Sequence, residues 1–334
     1  MKYSKFIKPN DYIEIIAPSF GVAYDPYLIR LTNGVNFFKS LDYKINYGEN
    51  VFKLENAESN TPIKRAKEFE TAYLNEKNSL IWAATGGEIE CLILPKIDFD
   101  KIANSTPKWF MGYSDNTCIG FVLTTIYDIA TIYGVHIGDF SLGLSHKCLK
   151  DTLSLLEGKK NHFLSYHKHE NPYDKNKPIL GYKFTEKVIY SAIPNKNCIL
   201  KGRLIGGCLD VLVNLCGTKY DQVKNFNDKY KNDGIIFFFD VYELNSLAFL
   251  RSLFQLKMAG WFKHVKGIII GRINFENVIF DVTYKQALKK LNLNFPIIYD
   301  ADIGHLPPTI PLINGAIYEI KFNNSRCEYK YFLK

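Results

Sequence analysis

The chain has 334 residues, of which 47% are hydrophobic and 23% charged, and its formal net charge is +8 at pH 7. Because this length exceeds one ordinary domain and the apolar content is ample for a core, we expect two folded domains and exclude intrinsic disorder. The lysines are scattered among acidic residues, whereas a nucleic-acid-binding protein concentrates its cations in a stripe. We therefore expect no nucleic-acid partner.

The sequence carries no pattern typical of export or membrane insertion. No apolar run approaches the roughly 20 residues of a membrane-spanning helix. Residues 1–11 are charged and lack the apolar core of a signal peptide. The seven cysteines show no CxxC spacing, which is typical of free thiols in a reducing compartment. We expect a cytoplasmic protein with no membrane partner.

The first half of the chain alternates predicted strands with predicted helices, which is typical of an α/β fold with a parallel sheet. Ligands of such sheets bind beyond the carboxyl ends of the strands, where Gly86, Gly87 and Ser114 are expected to lie. Strands are predicted over residues 12–17, 43–47, 79–84, 109–112 and 130–135, and helices over 28–41, 61–74 and 118–129.

We predict a first domain over residues 1–150, a linker or surface excursion over 151–190, and a second domain over 191–334. The excursion is rich in Lys, His, Asn and Tyr. No cysteine or well-spaced partner completes a zinc ligand set there, so we prefer a solvated polar loop to a metal site. The histidines concerned are His162, His167 and His169.

The second domain is predicted to be rich in strands. One helix of this domain is predicted to end at Gly260 and to bury one apolar face. That face comprises Leu247, Leu250, Phe254 and Met258. Strands are predicted over residues 198–204, 234–239, 266–271 and 295–299, with a last strand pair within 311–320.

Ser114 is the candidate nucleophile. A buried strand runs into Gly112-Tyr113-Ser114-Asp115, and an apolar helix follows, which is where an α/β enzyme exposes a reactive hydroxyl. The pattern is not GxSxG, because Asn116 replaces the second glycine. The alternative is that Ser114 merely caps the helix.

A serine nucleophile needs a base, and the base needs an acid that holds its tautomer. His305 is the best candidate base, since it follows a predicted strand in a loop with two prolines. His136, after a strand of the first domain, is the rival. Asp240 lies at the end of a predicted strand, and His305 follows another predicted strand. Asp240 is therefore the candidate acid.

The chain resembles the LD-carboxypeptidase family of serine peptidases, which also contains the microcin C self-immunity amidases. The similar blocks occur in the family's order and cover essentially the whole chain. They are Ile16-Ala17-Pro18-Ser19, Gly86-Gly87 with Leu94–Asp98, Gly112–Asp115, Gly202–Gly207, Gln255–Gly260, Gly267–Gly271 and Asp302–His305.

The resemblance implies an N-terminal Rossmann-like domain that carries the nucleophile and a C-terminal β-rich α/β domain that carries the base and acid. It places Ser114 on the nucleophile and His305 on the base. The oxyanion hole is then formed by the backbone amides of Gly87 and Asp115. It implies no cofactor and no metal, a small peptide or peptide-conjugate substrate, and a homodimer.

Two departures from the family pattern bear on specificity and on the acid. Glu88-Ile89 replaces a small pair such as Tyr-Gly, and a carboxylate there disfavours an anionic substrate or selects a cationic one. The family acid is normally glutamate, yet ungapped counting gives Asp240. Its shorter side chain requires a backbone shift at the strand end, or domain closure on substrate, to reach His305. Glu243 is the alternative acid, or otherwise an exposed carboxylate near a helix start.

The resemblance implies hydrolysis of an amide near a free carboxylate, typically the terminal D-alanine of a murein tetrapeptide during cell-wall recycling. The alternative substrate is a microcin-like aminoacyl-nucleotide conjugate. The long segment between Ser114 and Gly202 favours it, whereas the absence of tryptophan from residues 147–201 disfavours it. A non-catalytic binding protein on the same fold is the alternative of another class. Arg203 and Lys257 are both candidates for holding the substrate carboxylate.

Overall fold

The computed structural model describes residues 1–170, 182–273 and 278–334. These residues divide into two units. The first comprises Met1–Lys160 with Tyr182, and the second comprises residues 161–170 and the chain from Lys183 to Lys334. The predicted boundary at residue 150 falls inside a helix. Residues 171–181 of the predicted excursion lie outside the described residues.

The first unit alternates strands and helices, as predicted. Its elements are β1 (Tyr12–Ile16), α1 (Tyr27–Ser40), β2 (Lys44–Tyr47), α2 (Pro62–Leu74), β3 (Asn78–Ala83), α3 (Phe99–Ala103), β4 (Trp109–Gly112), α4 (Thr117–Tyr127), β5 (Thr131–Tyr133) and α5 (Lys147–Leu156). Short 3-10 helices span Glu90–Lys96, Ser114–Asn116 and Ile137–Phe140.

The strands of this unit form a parallel sheet in the order β5-β4-β3-β1-β2. Leu80, Ile81 and Trp82 of β3 are completely buried, since a central parallel strand is covered by helices on both faces. Strand order reverses between β1 and β3, and ligand sites of such sheets lie at this kind of switch point. The predicted parallel sheet is confirmed.

The second unit is richer in strands. Its elements are β6 (His162–Leu164), β7 (Lys168–His169), β8 (Glu186–Lys187), β9 (Ser191–Ile193), β10 (Cys198–Cys208), α6 (Leu209–Leu215), α7 (Val223–Lys229), β11 (Ile235–Asp240), α8 (Ser246–Met258), β12 (Val265–Gly271), α9 (Tyr284–Lys290), β13 (Ile297–Ala301), β14 (Leu312–Asn314), β15 (Ile317–Asn323) and β16 (Arg326–Phe332). Among all these described helices, none combines the length and apolar character required to cross a membrane.

The main sheet of the second unit has the order β6-β16-β15-β10-β11-β12-β13-β9. Strands β10 to β13 are parallel, and the strands on both flanks are antiparallel. The loops after β11, β12 and β13 therefore leave the sheet at one edge. The mixed α/β architecture agrees with the predicted fold class, and the edge formed by these loops carries Asp240 and His305.

The apolar face predicted for α8 is wrong at its C-terminal end. Phe254 and Met258 are 54% and 69% exposed, whereas Phe249, Leu253 and Leu256 are completely buried. Both sets recur at three or four residues, so helical spacing alone fits either face. Packing within the second unit, where α8 lies beside α6 and α9, selects the second set.

Candidate active site

Ser114 occupies a sharp turn at the carboxyl end of β4. Its φ is +61°, a left-handed conformation that non-glycine residues seldom adopt and that is common at functional sites. Asn116, not Ser114, is the N-cap of α4, so the structure does not support the helix-cap alternative. The Ser114 amide donates to the Tyr133 hydroxyl over 3.2 Å. A strained, anchored turn thus presents the half-buried Ser114 side chain.

The Gly86-Gly87 loop lies directly against this turn. A Cβ atom at Gly86 would lie 3.1 Å from Ser114 Cβ and 3.2 Å from Ser114 Oγ. A Cβ atom at Gly87 would lie 2.1 Å from Ser19 Oγ and 2.9 Å from the Phe20 backbone nitrogen. Close packing therefore requires glycine at Gly87 and leaves little room for a side chain at Gly86, and it brings the backbone beside the serine.

A buried polar network supports the turn from the protein interior. The Ser19 hydroxyl and the Glu90 amide both donate to Asp115 Oδ2, the latter over 2.8 Å. Asn116 Nδ2 donates to Glu90 Oε2 over 2.7 Å, and the Ile119 amide donates to Glu90 Oε1 over 3.1 Å. The Asp115 and Glu90 carboxylates thus hold both the serine turn and the first turn of α4.

Two buried carboxyl groups lie together in this network. Glu90 is completely buried, and Asp115 is 3% exposed. Burial raises the pKa of Glu90 well above its ordinary value of 4.5, and the Asp115 carboxylate raises it further. Burial also raises the pKa of Asp115, against the lowering effect of the Ser19 hydroxyl. The native state therefore binds protons here more tightly than the unfolded chain.

The raised pKa of Glu90 predicts a pH-dependent stability. Its contribution is fully present below the unfolded pKa of about 4.5 and is lost as pH rises through the folded pKa. Between these two pKa values, the free energy of unfolding is expected to fall as pH rises, by up to about 1.4 kcal/mol per pH unit. Glu90→Gln should flatten this dependence in urea titrations at several pH values. The exposed control Glu49→Gln should retain the wild-type slope, and a wild-type slope in Glu90→Gln would contradict the assignment.

His136, the rival base, is held by this same network. Its Nε2 lies 3.0 Å from Asn116 Oδ1, and its ring centroid lies 4.4 Å from that of Tyr113. Since Asn116 Nδ2 donates to Glu90, Oδ1 is the accepting atom and His136 Nε2 donates. The 7% exposed His136 ring thus packs and orders the serine turn.

In the second unit, His305 pairs with Asp240. His305 Nδ1 lies 2.7 Å from Asp240 Oδ2, and the His305 amide donates to Asp240 Oδ1 over 3.3 Å. The Asp240 side chain is completely buried. A Cβ atom at Gly304 would lie 1.8 Å from Asp240 Oδ1, so only glycine allows this approach. The Gly304 backbone lies close to Asp240, and this close approach compensates for the short side chain of the aspartate.

Glu243, the alternative acid, is placed differently. Its residue is exposed, and its amide donates to Asp210 Oδ1 over 2.8 Å. Of the two candidate acids, Asp240 is the one whose carboxylate lies against His305 Nδ1.

A buried ion pair fixes the loop on both sides of His305. Arg272 follows β12 and pairs with Asp302, which follows β13 and is completely buried. Arg272 Nη2 also donates to the carbonyl oxygens of Leu306 and Pro308, over 3.0 and 2.9 Å. The carbonyl contacts on one side and the ion pair on the other restrict where the His305 loop can lie.

Removal of this ion pair is expected to destabilise the fold. Asp302→Ala leaves the 6% exposed Arg272 without its carboxylate, and breaking a buried pair costs about 3–5 kcal/mol. Denaturant unfolding of the variant measures this loss directly. Asp228→Ala, which removes the exposed partner of Lys263, is the control and should cost much less. Equal losses in the two variants would contradict the role of the buried pair.

The two cations proposed from sequence for a substrate carboxylate have structural contacts. Arg203 Nη2 lies 2.6 Å from Asp233 Oδ2 and its guanidinium packs on the Tyr230 ring. Lys257 Nζ donates to the carbonyl of Leu291 over 2.9 Å. These contacts assign both side chains to the packing of the second unit.

The histidines of the predicted excursion do not form a ligand set. His162 Nε2 on β6 lies 2.7 Å from Glu328 Oε1 on β16, and His169 Nδ1 lies 3.1 Å from the Glu170 carbonyl. Within the described parts of the chain, no three His, Cys, Asp or Glu side chains are grouped so that they could hold a metal ion.

Comparison with known proteins identifies the family of this chain. The model of the LD-carboxypeptidase N-terminal domain matches residues 13–134, and that of the C-terminal domain matches residues 201–320. The chain belongs to the LD-carboxypeptidase family. Family membership assigns it to the peptidases, and both predicted domains of the family are present.

Individual relatives are similar over almost their whole lengths. A Bacillus subtilis (strain 168) protein named "Putative carboxypeptidase YocD" is 26% identical, with 93% of this chain and 94% of that protein covered. The MccF-like protein of Bacillus anthracis str. Ames has a TM-score of 0.86 at 22% identity, with both chains covered completely. Microcin C7 self immunity protein MccF, in complex with aspartyl sulfamoyl adenosine, has a TM-score of 0.81 at 22% identity over 98% of each chain. These two structures share the fold of this chain.

Proposed function

We propose that this protein is a serine hydrolase that cleaves an amide bond near a free carboxylate. The observation that carries the proposal is the buried Asp240 carboxylate, 2.7 Å from His305 Nδ1. A carboxylate at this atom selects the tautomer with the proton on Nδ1, which makes Nε2 the basic nitrogen. The strained turn at Ser114 supplies the matching nucleophile.

In the proposed reaction, Ser114 Oγ attacks the scissile carbonyl carbon and transfers its proton to His305 Nε2. Asp240 stabilises the imidazolium that forms. The amides of Gly87 and Asp115 donate to the oxyanion of the tetrahedral intermediate. As the C–N bond breaks, His305 gives the proton to the leaving amine. A water molecule, deprotonated by His305, then hydrolyses the acyl-enzyme and regenerates Ser114.

Our preferred substrate is a murein tetrapeptide, from which this reaction releases the terminal D-alanine. Family membership supports the carboxypeptidase reaction. A second candidate is the amide of an aminoacyl-nucleotide conjugate. It is favoured by the shared fold with MccF in complex with aspartyl sulfamoyl adenosine and by the long segment between Ser114 and Gly202.

Product analysis distinguishes these substrates. Purified protein is incubated separately with a murein tetrapeptide and with a processed microcin-like aspartyl-nucleotide conjugate, and products are identified by mass spectrometry. Release of D-alanine supports the first substrate, and release of aspartate supports the second. Ser114→Ala protein is the control for contaminating peptidases. Turnover of neither compound would contradict both substrate assignments and leave the substrate open.

A further inference from the structure

The loop that follows Asp240 places an aromatic ring on the face of His305. The ring centroids of Tyr242 and His305 lie 4.1 Å apart, and the ring planes differ by 21°. Asp240 Oδ2 lies 2.7 Å from Nδ1 of the same imidazole. The histidine therefore has two close neighbours, a carboxylate at Nδ1 and an aromatic ring on its face.

The position of Tyr242 is fixed by Asp210, at the start of α6. The Asp210 carboxylate accepts from three successive amides: Tyr242 over 3.1 Å, Glu243 over 2.8 Å and Leu244 over 3.1 Å. Strands β10 and β11 are adjacent and parallel, with Cys208 opposite Asp240, so α6 begins beside the loop that follows β11. One carboxylate thus orders the whole bend after Asp240.

The far side of the same loop is anchored independently. The Tyr284 hydroxyl of α9 donates to the Leu244 carbonyl. The Asn245 side chain accepts from the amides of Leu247 and Ala248 and so caps α8. Because backbone contacts hold the loop on both sides, the Tyr242 ring has a defined position against the histidine.

We infer that Tyr242 is a positioning residue for His305, and that Asp210 acts through it by holding the loop. This inference rests on the proposed function, in which His305 becomes an imidazolium as Ser114 attacks. An aromatic face attracts a cation, and a ring stacked on the imidazole restricts its rotation about the Cβ–Cγ bond. The contact therefore favours the charged histidine and keeps Nε2 in the direction that Asp240 and the loop define.

The test compares Tyr242→Leu, which removes the ring, with Tyr242→Phe, which keeps it. We expect Tyr242→Leu to lower kcat roughly tenfold with KM little changed, since an aromatic contact to a cation has about that effect. Tyr242→Phe should retain most of the wild-type kcat. Tyr47→Leu, the same change at a 38% exposed tyrosine of the first unit, is the matched control.

Nuclear magnetic resonance of histidine labelled at Cε1 tests the contact without an activity assay. The His305 signal, assigned by its loss in His305→Ala, should move downfield in Tyr242→Leu as the ring current disappears, and should stay near its wild-type position in Tyr242→Phe. An unmoved signal in Tyr242→Leu overturns the contact. A moved signal with wild-type kcat, in protein that hydrolyses substrate, overturns the positioning role while the proposed function stands.

Asp210 is tested by a double-mutant cycle. If Asp210 acts through Tyr242, Asp210→Asn should lower kcat in the wild-type background and should have little further effect in the Tyr242→Leu background. Additive losses would contradict the link between the two residues. Thermal unfolding of each variant separates a loosened loop from a loss of the fold, and the histidine signal reports the contact in any variant that folds.

Discussion

Ser114→Ala is expected to lower kcat by about 10⁶-fold, because loss of the nucleophile of a serine triad has an effect of that size. The substitution removes one oxygen atom and leaves the Cβ atom that lies beside Gly86. It also keeps a non-glycine residue at the φ of +61°, so the backbone strain of the turn is unchanged. The measurement is single-turnover and steady-state hydrolysis of the substrate identified by mass spectrometry.

The control for this change is Ser40→Ala, at an exposed position near the end of α1. It should leave both kcat and the midpoint of thermal unfolding unchanged. Ser114→Ala should also unfold at the wild-type temperature, which shows that chemistry and not folding is lost. A Ser114→Ala protein that retains more than a small fraction of wild-type turnover would exclude Ser114 as the nucleophile.

Asp240→Asn is expected to lower kcat by about 10⁴-fold. The replacement has nearly the same shape, yet its amide can donate to Nδ1 and so favours the wrong tautomer of the histidine. A longer side chain at position 240 acts in a different way. Since Asp240 already lies 2.7 Å from His305 Nδ1 and against Gly304, Asp240→Glu inserts a methylene into a filled space and should lower activity. Steady-state kinetics of both variants measure these effects.

Glu243→Ala is the matched control for the acid. Its exposed side chain is expected to be dispensable, because substitutions at exposed positions usually have small effects. The kcat of the variant should therefore stay within a few-fold of wild type. If Glu243→Ala is inactive and Asp240→Asn is active, the acid is Glu243. That result would also mean that the loop after β11 rearranges when substrate binds.

Most of the fold could be predicted from hydrophobic patterns. Buried parallel strands such as β3 contain continuous apolar runs, here residues 80–83, and the alternation with helices predicts the parallel order. The face of α8 could not be predicted, because its apolar residues follow helical spacing on more than one face. The short edge strands β6 and β9 carry too few apolar residues to be distinguished from loops.

The site was predictable where a residue lies at the end of a strand or in the loop that follows it. Asp240 ends β11, and Ser114 and His305 lie in the segments after β4 and β13. Strand ends gather at one edge of each parallel sheet. The choice between Asp240 and Glu243 depended on how closely the Gly304 backbone approaches, which no local pattern reveals.

Residues that hold the candidate catalytic side chains in place were missed. Glu90 had one signal, a charge beside the apolar run of residues 92–94. Tyr242 and Arg272 had none, because their contacts join segments that are far apart in sequence. Arg272 meets Asp302 and Tyr242 meets His305 only after strands β11, β12 and β13 have paired.

Labelling with a fluorophosphonate probe tests the central claim most directly, since it requires an activated serine but no knowledge of the substrate. Folded wild-type protein is expected to gain one probe mass on the peptide that contains Ser114. Ser114→Ala should gain none, and His305→Ala should react far more slowly because the base is missing. Absence of labelling in folded wild-type protein, under conditions that label a known serine hydrolase, would contradict the assignment of Ser114 as an activated nucleophile.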